Sequence, residues 1–384
     1  MNSKLFDKKL GIIGGGQLGK MLLAECNKMS ITTHVIDSSE KSPCRNLCSK
    51  FYFGDLNDYD TILNFGRDCD IITFEIEHIN VDALDKLEKM GKKVYPRPDT
   101  LRVIQDKNQQ KSFFKNNEIP TSDFKYFKSL DDLALAIDKN EINFPCVWKK
   151  TKFGYDGFGV KILKSPVDIE TLPDSEMIIE EFVPFEKELS VIVARNPSGE
   201  VKCYNTVEME FNKDSNQVEY VISPANISDS INKKAQDLAI RLSNSLDSIG
   251  LLAVEMFLTN NSILVNELAP RPHNSGHFSI EACQSSQFQQ HIRAIFNLKL
   301  GETNHLGSAI MLNIVGSEGY SGKVYYENLD HVFKSKFSNL HLYGKEETRP
   351  NRKMGHVTII NKDLDRAKKI AKEVKNTVII TSKK

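Results

Sequence analysis

Apolar and polar positions change rhythm several times along this chain, and the changes outline its elements. Lys9-Leu10-Gly11-Ile12-Ile13 reads as a short buried strand, Gly14 to Gly19 as a turn, Lys20 to Met29 as a helix and Thr33 to Asp37 as the next strand. Ile71 to Phe74 repeats the strand signal after a further helical stretch. This βαβ alternation over 8–120 predicts a parallel, doubly wound sheet. Pro96 and Pro98 then introduce one helix, about 100–116, that leaves the sheet.

Ile119-Pro120-Thr121 marks a junction. From there to about 182 the pattern is strand, helix (about 129–140), strand (Cys146 to Lys149), glycine loop and two more strands, a small α+β unit. Long alternating strands follow at Leu189 to Ala194, Val201 to Val207 and Val218 to Ile222. After them come a helix over about 231–249, a hairpin over 251–268, a polar loop and a helix over about 279–297. Residues 308–380 read as a smaller β-rich tail with one amphipathic helix near 363–376. The expected organisation is an α/β, Rossmann-like parallel-sheet domain over 1–118, a small α+β domain over 119–185, and a larger antiparallel-sheet domain over 186–384 that includes the tail from about 308.

Length and charge narrow the function classes. At about 150 residues per domain, 384 residues suit two or three domains. Lys+Arg and Asp+Glu are both 51, so no basic excess exists to neutralise phosphates along a duplex, which argues against a general nucleic-acid binder. No apolar run approaches the length of a membrane span, and the start lacks the features of a signal peptide. The seven cysteines are scattered, as expected of reduced thiols in the cytoplasm.

Chemistry concentrates in six places. Gly14-x-Gly16-x-x-Gly19 lies between a strand and a helix, with Asp37 ending the next strand. That is the context of a dinucleotide fingerprint, but any phosphate could meet such a loop, and a tight structural turn has the same glycines. A P-loop reading fails at Met21, where a hydroxyl should ligate the metal. Lys149 and Lys150 precede the second glycine loop, Gly154-Tyr155-Asp156-Gly157-Phe158-Gly159, a lysine and amide arrangement suited to a triphosphate. Strand alternation lets only one of the two lysines face that ligand. The strand Ile178-Ile179-Glu180-Glu181-Phe182-Val183 runs into Glu186 and Glu188, acceptors that suit ribose hydroxyls beside a pocket.

The hairpin around Asn261 sets Glu255 opposite Glu267, a repulsive pair unless a divalent cation lies between them. A slip of one residue would put Asn266 there instead. Arg271, His273 and Asn274 then crowd donors into the Pro-stiffened loop 268–277, suited to a small anion. Finally, Arg349, Arg352 and Lys353 form a basic turn before a strand, a candidate phosphate anchor.

In their order, GGGQLG, GYDGFG, EEFVPFEKE, VEMF, NELAPRPHNSGH and NRKMGHVT resemble the ATP-grasp ligases over roughly 8–360. Among these the chain is similar to the 5-(carboxyamino)imidazole ribonucleotide synthase family, the ATPase subunits of phosphoribosylaminoimidazole carboxylase; APRPHNSGH is the most specific piece. The resemblance implies an ATP-grasp fold in which 119–185 is a lid. It also implies the reaction: ATP phosphorylates bicarbonate to carboxyphosphate, and the amine of aminoimidazole ribonucleotide captures the carboxyl group, directly or after release of carbon dioxide. Its implied cofactors are ATP and one or two magnesium ions, and its implied assembly a homodimer.

The resemblance also assigns residues. ATP contacts fall on Lys107, Lys149, the lid loop Gly154, Tyr155, Asp156, Gly157, Phe158, Gly159 and Val160, the adenine hinge Glu180, Glu181, Phe182 and Val183, then Glu188, Asn266 and Glu267. Metal ligation falls on Glu255 and Glu267. Ribonucleotide and bicarbonate fall on Gly16, Gln17, Leu18, Glu75, Tyr155, Arg271, His273, Asn274, Ser275, Arg352 and Lys353, with Arg271, His273, Asp156 and Lys353 as the catalytic groups. The first glycine cluster should then meet the ribonucleotide's phosphate. One departure stands out: the family commonly has a His after the stretch beginning near Tyr204, and here Phe211 occupies that ATP-contacting position. A nicotinamide-dependent oxidoreductase, a formate-using transformylase of the same fold and a non-catalytic nucleotide-binding subunit are the competing expectations.

Overall fold

The computed structural model describes residues 7–152, 154, 159–260 and 262–383. Its first layer is a five-stranded parallel sheet in the order Lys50–Phe53, Thr33–Asp37, Leu10–Ile13, Ile71–Phe74, Lys93–Val94. Leu10–Ile13 is central and buried along its whole length, as the unbroken apolar run requires. The following helix begins at Gln17, because the glycine turn ends at Gly16.

The single helix expected over 100–116 is two helices, Pro98–Gln105 and Lys107–Asn116. Asp106 is extended between them, and its Oδ1 accepts from the backbone N–H groups of Asn108 (2.9 Å) and Gln109 (3.2 Å). An internal N-cap thus divides a continuous helical pattern. Lys107, at the start of the second helix, donates its backbone N–H to Thr151 O at 2.8 Å, which ties it to the neighbouring unit.

That unit is a four-stranded antiparallel sheet ordered Phe124–Phe127, Met177–Glu181, Cys146–Lys150, Val160–Leu163, with Trp148, Leu133 and Met177 in its core. The remainder centres on a nine-stranded sheet. Its main path runs Ser262–Ala269, Gly250–Thr259, Lys187–Arg195, Val207–Phe211, Val218–Ser223, Ala309–Val315, Lys353–Ile360, Ser338–Leu342. The β-rich tail therefore continues this sheet through the pairing of Val218–Ser223 with Ala309–Val315. The strand expected over 201–207 is interrupted: Val201–Cys203 pairs with Lys187–Arg195, while the buried Tyr204 turns its hydroxyl to Ser285 O at 2.8 Å. The helix expected over 279–297 breaks into Ser279–Ala282 and Gln287–Ile295, the second capped by Ser286 Oγ on Gln289 N at 3.1 Å. None of the described helices is long and apolar enough to cross a membrane.

Candidate active site

The glycine turn meets carboxylates of its own domain. Gly15 N–H donates to Asp37 Oδ2 at 2.6 Å, Gly19 N–H to Glu75 Oε2 at 2.8 Å, and Gly16 N–H to Glu75 Oε1. The anion at this helix N-terminus is thus an internal carboxylate. Burial pushes the Glu75 carboxyl up to about 7, against the pull of the two amides. Gly14 has φ +94°, and a Cβ there would lie 2.6 Å from Glu75 Cγ, so only glycine fits. This geometry overturns the dinucleotide reading, because Asp37 and Glu75 place negative charge where pyrophosphate would sit. It also differs from the phosphate contact expected at Gly16 and Leu18, while Gln17 opens the helix half-buried. The Gly16 amide is taken, and the Leu18 side chain is buried in the core. Two residues beyond Glu75, Glu77 Oε1 lies 2.7 Å from Arg271 Nε, which joins this edge of the parallel sheet to the large domain.

The hairpin uses both registers weighed from the sequence. Near its turn Thr259 faces Ser262 and Met256 faces Val265, a register that would bring Asn266 opposite Glu255. The register shifts between Glu255 and Met256, and Glu255 faces Glu267. Asn266 is therefore the extra residue of a β-bulge, and both it and Glu267 turn toward the cleft. Asn266 Oδ1 accepts from Lys149 Nζ at 2.9 Å, and Glu267 Oε2 from Lys107 Nζ at 2.9 Å. Burial in the cleft, with Glu267 and Glu188 nearby, pushes Glu255 up to about 8. Burial also raises Glu188 to about 7. Burial would raise Glu267 too, but Lys107 holds its carboxyl below the usual range.

Strand alternation separates the two lysines before the glycine loop. Lys149 is buried and faces the cleft, whereas Lys150 is half-buried on the other face. Lys149 Nζ lies 3.0 Å from Glu180 Oε1, and Lys111 Nζ 3.2 Å from Glu180 Oε2. Lys111 also donates to Thr121 Oγ1 (2.7 Å) and Ser122 Oγ (2.9 Å). Burial would raise the Glu180 carboxyl, but the two lysines pull it down to about 2. Burial in turn pushes the Lys111 ammonium down to about 8. The Glu180 carboxylate is thus turned inward onto lysines, and of the expected hinge Glu181 is exposed while Phe182 and Val183 are half-buried.

The loop after the hairpin is held from several sides. His273 Nε2 is 3.3 Å from Glu255 Oε1, and His273 Nδ1 is 2.8 Å from Ser275 Oγ. Ser275 N–H also donates to Nδ1 at 3.3 Å, so the neutral ring carries its proton on Nε2, toward Glu255. Ser275 Oγ continues to Ser190 Oγ at 2.8 Å. Asn274 exchanges amide bonds of 2.9 and 2.8 Å with Asn313. Arg271 Nη1 donates to Pro272 O at 3.0 Å. From the tail, the charge of Lys353 acts on Glu255 and His277. Arg352 Nη1 donates to Glu347 O at 2.6 Å.

Several expected contacts are placed elsewhere or lie outside the description. Tyr155, Asp156, Gly157 and Phe158 lie outside the described residues. The ends of their loop meet: Lys150 N–H donates to Gly159 O at 2.9 Å, and Val160 pairs with Lys149. Phe211 sits at a register shift and packs, half-buried, against the apolar core. Glu77, Lys111 and Gln287 join the site without having been singled out from sequence. Lys111 had a signal, since it follows Lys107 by one helical turn on the same face.

A Rossmann-like parallel sheet, a small antiparallel sheet carrying a glycine loop, and a large sheet with a paired-carboxylate hairpin together define an ATP-grasp enzyme. Residues 112–288 match the ATP-grasp domain, 7–105 the ribonucleotide synthetase preATP-grasp domain, and 309–370 the phosphoribosylaminoimidazole carboxylase C-terminal domain. The chain is 38% identical over 370 residues to the N5-carboxyaminoimidazole ribonucleotide synthase of Synechocystis sp., covering 93% of this chain and 92% of that one. It is similar to the crystal structure of the N5-carboxyaminoimidazole ribonucleotide synthetase from Thermotoga maritima, with TM-score 0.89, 44% identity and coverage of 98% and 100% of the two chains. It also resembles the Aspergillus clavatus N5-carboxyaminoimidazole synthase solved with ADP and 5-aminoimidazole ribonucleotide, with TM-score 0.87, 31% identity and coverage of 97% and 99%. The chain belongs to the N5-carboxyaminoimidazole ribonucleotide synthase family.

Proposed function

We propose that this chain uses ATP to carboxylate 5-aminoimidazole ribonucleotide with bicarbonate, giving 5-(carboxyamino)imidazole ribonucleotide, ADP and phosphate in purine biosynthesis. A bicarbonate oxygen attacks the γ-phosphorus, the bond to the ADP oxygen breaks, and carboxyphosphate forms. The amine nitrogen then bonds to the carboxyl carbon, directly or after release of carbon dioxide, phosphate leaves, and the amine loses a proton.

The protein's part is to position and to neutralise charge. Lys107 and Lys149 reach the cleft from separate elements and offset the triphosphate, exchanging their present bonds to Glu267 and Asn266 for phosphate oxygens. Arg271, braced by Glu77, clamps bicarbonate. With Nδ1 engaged by Ser275, His273 holds Glu255 through its Nε2–H, and the amine proton falls to Asp156 of the lid loop. Lys353 and Arg352 offer cations to the ribonucleotide's phosphate, a role favoured by the filling of the glycine turn with Glu75. A lid over the labile carboxyphosphate keeps water out.

Magnesium fits this donor set. Glu255 and Glu267 offer only oxygen, and the like charge that helps push Glu255 up to about 8 is what a divalent cation between them relieves. Two carboxylates suffice for an ion that takes its other ligands from phosphates and water. When bound, it neutralises charge developing on the transferred phosphoryl group.

One observation carries the reading: Glu255 faces Glu267, and Lys107 and His273 converge on the pair from separate elements. The test is ADP release with ATP, magnesium and bicarbonate, with and without aminoimidazole ribonucleotide. Strong stimulation by the ribonucleotide and a labile carboxylated product are expected. ADP release indifferent to both bicarbonate and ribonucleotide refutes the substrate assignment, and formate with glycinamide ribonucleotide then tests the transformylase.

A further inference from the structure

Gln287 is not itself among the residues assigned to nucleotide, metal or bicarbonate, yet its side chain is committed to the loop that carries His273. It opens the helix Gln287–Ile295 and has no exposed surface. Its Oε1 accepts from the His273 backbone N–H at 2.9 Å, and its Nε2 donates to the His273 carbonyl at 2.8 Å. One amide thus grips both backbone groups of His273, as an adjacent strand would. The other Nε2 hydrogen points at His277 Nδ1, 3.0 Å away, which leaves the His277 proton on its Nε2.

The grip is itself anchored. Gln287 N–H donates to Ser279 Oγ at 2.9 Å, and Ser279 Oγ donates to the Gly276 carbonyl. Glycine at 276 leaves room for the amide, since a Cβ there would lie 2.5 Å from Gln287 Oε1 and push it aside. Behind His277 the ring of His356 lies 4.8 Å away and is stacked in turn on His341 at 4.4 Å. Tyr343 Oη holds His356 Nδ1 at 3.1 Å, and Glu281 Oε1 holds His341 Nε2 at 2.5 Å. The amide therefore ties His273 to a stack of packed rings.

We propose that Gln287 is a positioning residue for the carboxylation: by gripping the backbone of His273 it aims that imidazole at Glu255, 3.3 Å from Nε2, and so sets the carboxylate pair. This rests on the function proposed above. The test compares Gln287→Glu, Gln287→Leu and Gly276→Ala with the wild type.

In Gln287→Glu the new side chain, when ionised, has only acceptors and repels the His273 carbonyl and the His277 Nδ1 lone pair. When protonated, it accepts from the His273 N–H and donates to its carbonyl, restoring the grip. At about pH 8 the Gln287→Glu kcat should fall about 10- to 100-fold, with KM for ATP within about threefold of wild type. Its activity relative to wild type should climb as the pH falls to about 6, since burial raises a carboxyl there. Gln287→Leu should stay low at every pH. Gly276→Ala, which displaces the amide without altering it, should lose kcat alike. A wild-type kcat in either Gln287→Leu or Gly276→Ala, or a Gln287→Glu ratio flat with pH, overturns the proposal.

Imidazole 15N NMR judges the grip without turnover. Gln287→Leu should shift the His273 and His277 ring signals, and unshifted signals overturn the inference. A wild-type protein that releases no ADP with aminoimidazole ribonucleotide instead refutes the function, and the NMR arm then decides alone.

Discussion

At the glycine turn the carboxylates of Asp37 and Glu75 are satisfied by backbone amides of their own domain. At the hairpin Glu255 and Glu267 face each other and rely on Lys107 and His273, side chains from other elements. Glu75 and Glu255 are both pushed up, to about 7 and about 8, so a displaced carboxyl alone does not separate structure from site. The partner does. A backbone amide cannot leave without unfolding the turn, whereas a lysine can swing from a carboxylate to a phosphate. The first cluster has the stronger sequence motif, and the second has the exchangeable contacts.

Glu180 tests that distinction most severely. It is closed like Glu75, but by two lysines, one of which we assign to ATP. Glu180→Leu leaves Lys111 and Lys149 buried without their counter-charge, and should cost about 3–5 kcal/mol of stability. Urea unfolding at neutral pH measures it. A loss of activity without a loss of stability would instead place Glu180 among the exchangeable contacts.

Glu75→Gln and Glu255→Gln should behave oppositely if the two clusters differ in this way. Glu255→Gln should lower kcat at least about 100-fold, because it removes one of the carboxylates that hold the metal. Its stability relative to wild type should grow as the pH rises. A folded carboxyl at about 8 against 4.5 in the unfolded chain loses its stabilising contribution across that window, and the glutamine has none to lose. Glu75→Gln should destabilise by about 1–3 kcal/mol, since one of the Gly16 and Gly19 amides loses its acceptor. Steady-state kinetics beside thermal melts distinguish the two. Equal falls in kcat with no stability contrast would erase the difference between the clusters.

What the sequence conceals in both regions is local side-chain choice. The alternation in Lys149 and Lys150 correctly announced that one lysine faces the cleft. The split at Asp106 was not legible, because a capping aspartate inside a helical pattern resembles an ordinary exposed residue until its Oδ1 is seen on the next amides. The bulge at Asn266 was half legible: each register was visible, and only the fold shows that the strand uses both. The occupant of the glycine turn was hidden, because Glu75 lies far along the chain and nothing local marks it as the turn's own anion. Carboxylates, lysines and glycines announce that charge is handled; the distant partners decide by what.

A buried histidine extends the contrast to the joint between the domains. His291 Nδ1 accepts from Leu251 N–H at 3.3 Å, so its Nε2–H donates to Thr73 Oγ1 at 2.7 Å, across to the parallel sheet. Burial lowers this ring from 6.5 to about 3. Between those values the unfolded chain binds a proton that the folded one refuses. Stability therefore falls as the pH drops below 6.5, by up to about 1.4 kcal/mol per unit. His277 and His356, also lowered by burial, act in the same direction. Glu75 and Glu255 act oppositely, losing stability as the pH rises. His291→Gln should flatten the acid limb of the stability profile, and an unchanged limb would show that the domain joint does not titrate.

The smallest expected effect tests how much an exchangeable contact is worth. Phe211 packs half-buried on the apolar core, at the position where the resemblance leads us to expect an ATP-facing histidine. Its strand pairs through Met209 with Glu188, so the position lies beside residues we assign to the nucleotide. Phe211→His would exchange apolar packing for one donor, and a hydrogen bond to a nucleotide oxygen contributes about 0.5–1.5 kcal/mol. KM for ATP should therefore fall by about 2- to 10-fold, with kcat little changed and a small loss of thermal stability from the thinned core. If KM does not move while the melting temperature drops, position 211 belongs to the core in this chain, and the Lys107 and Lys149 cations carry the triphosphate without it.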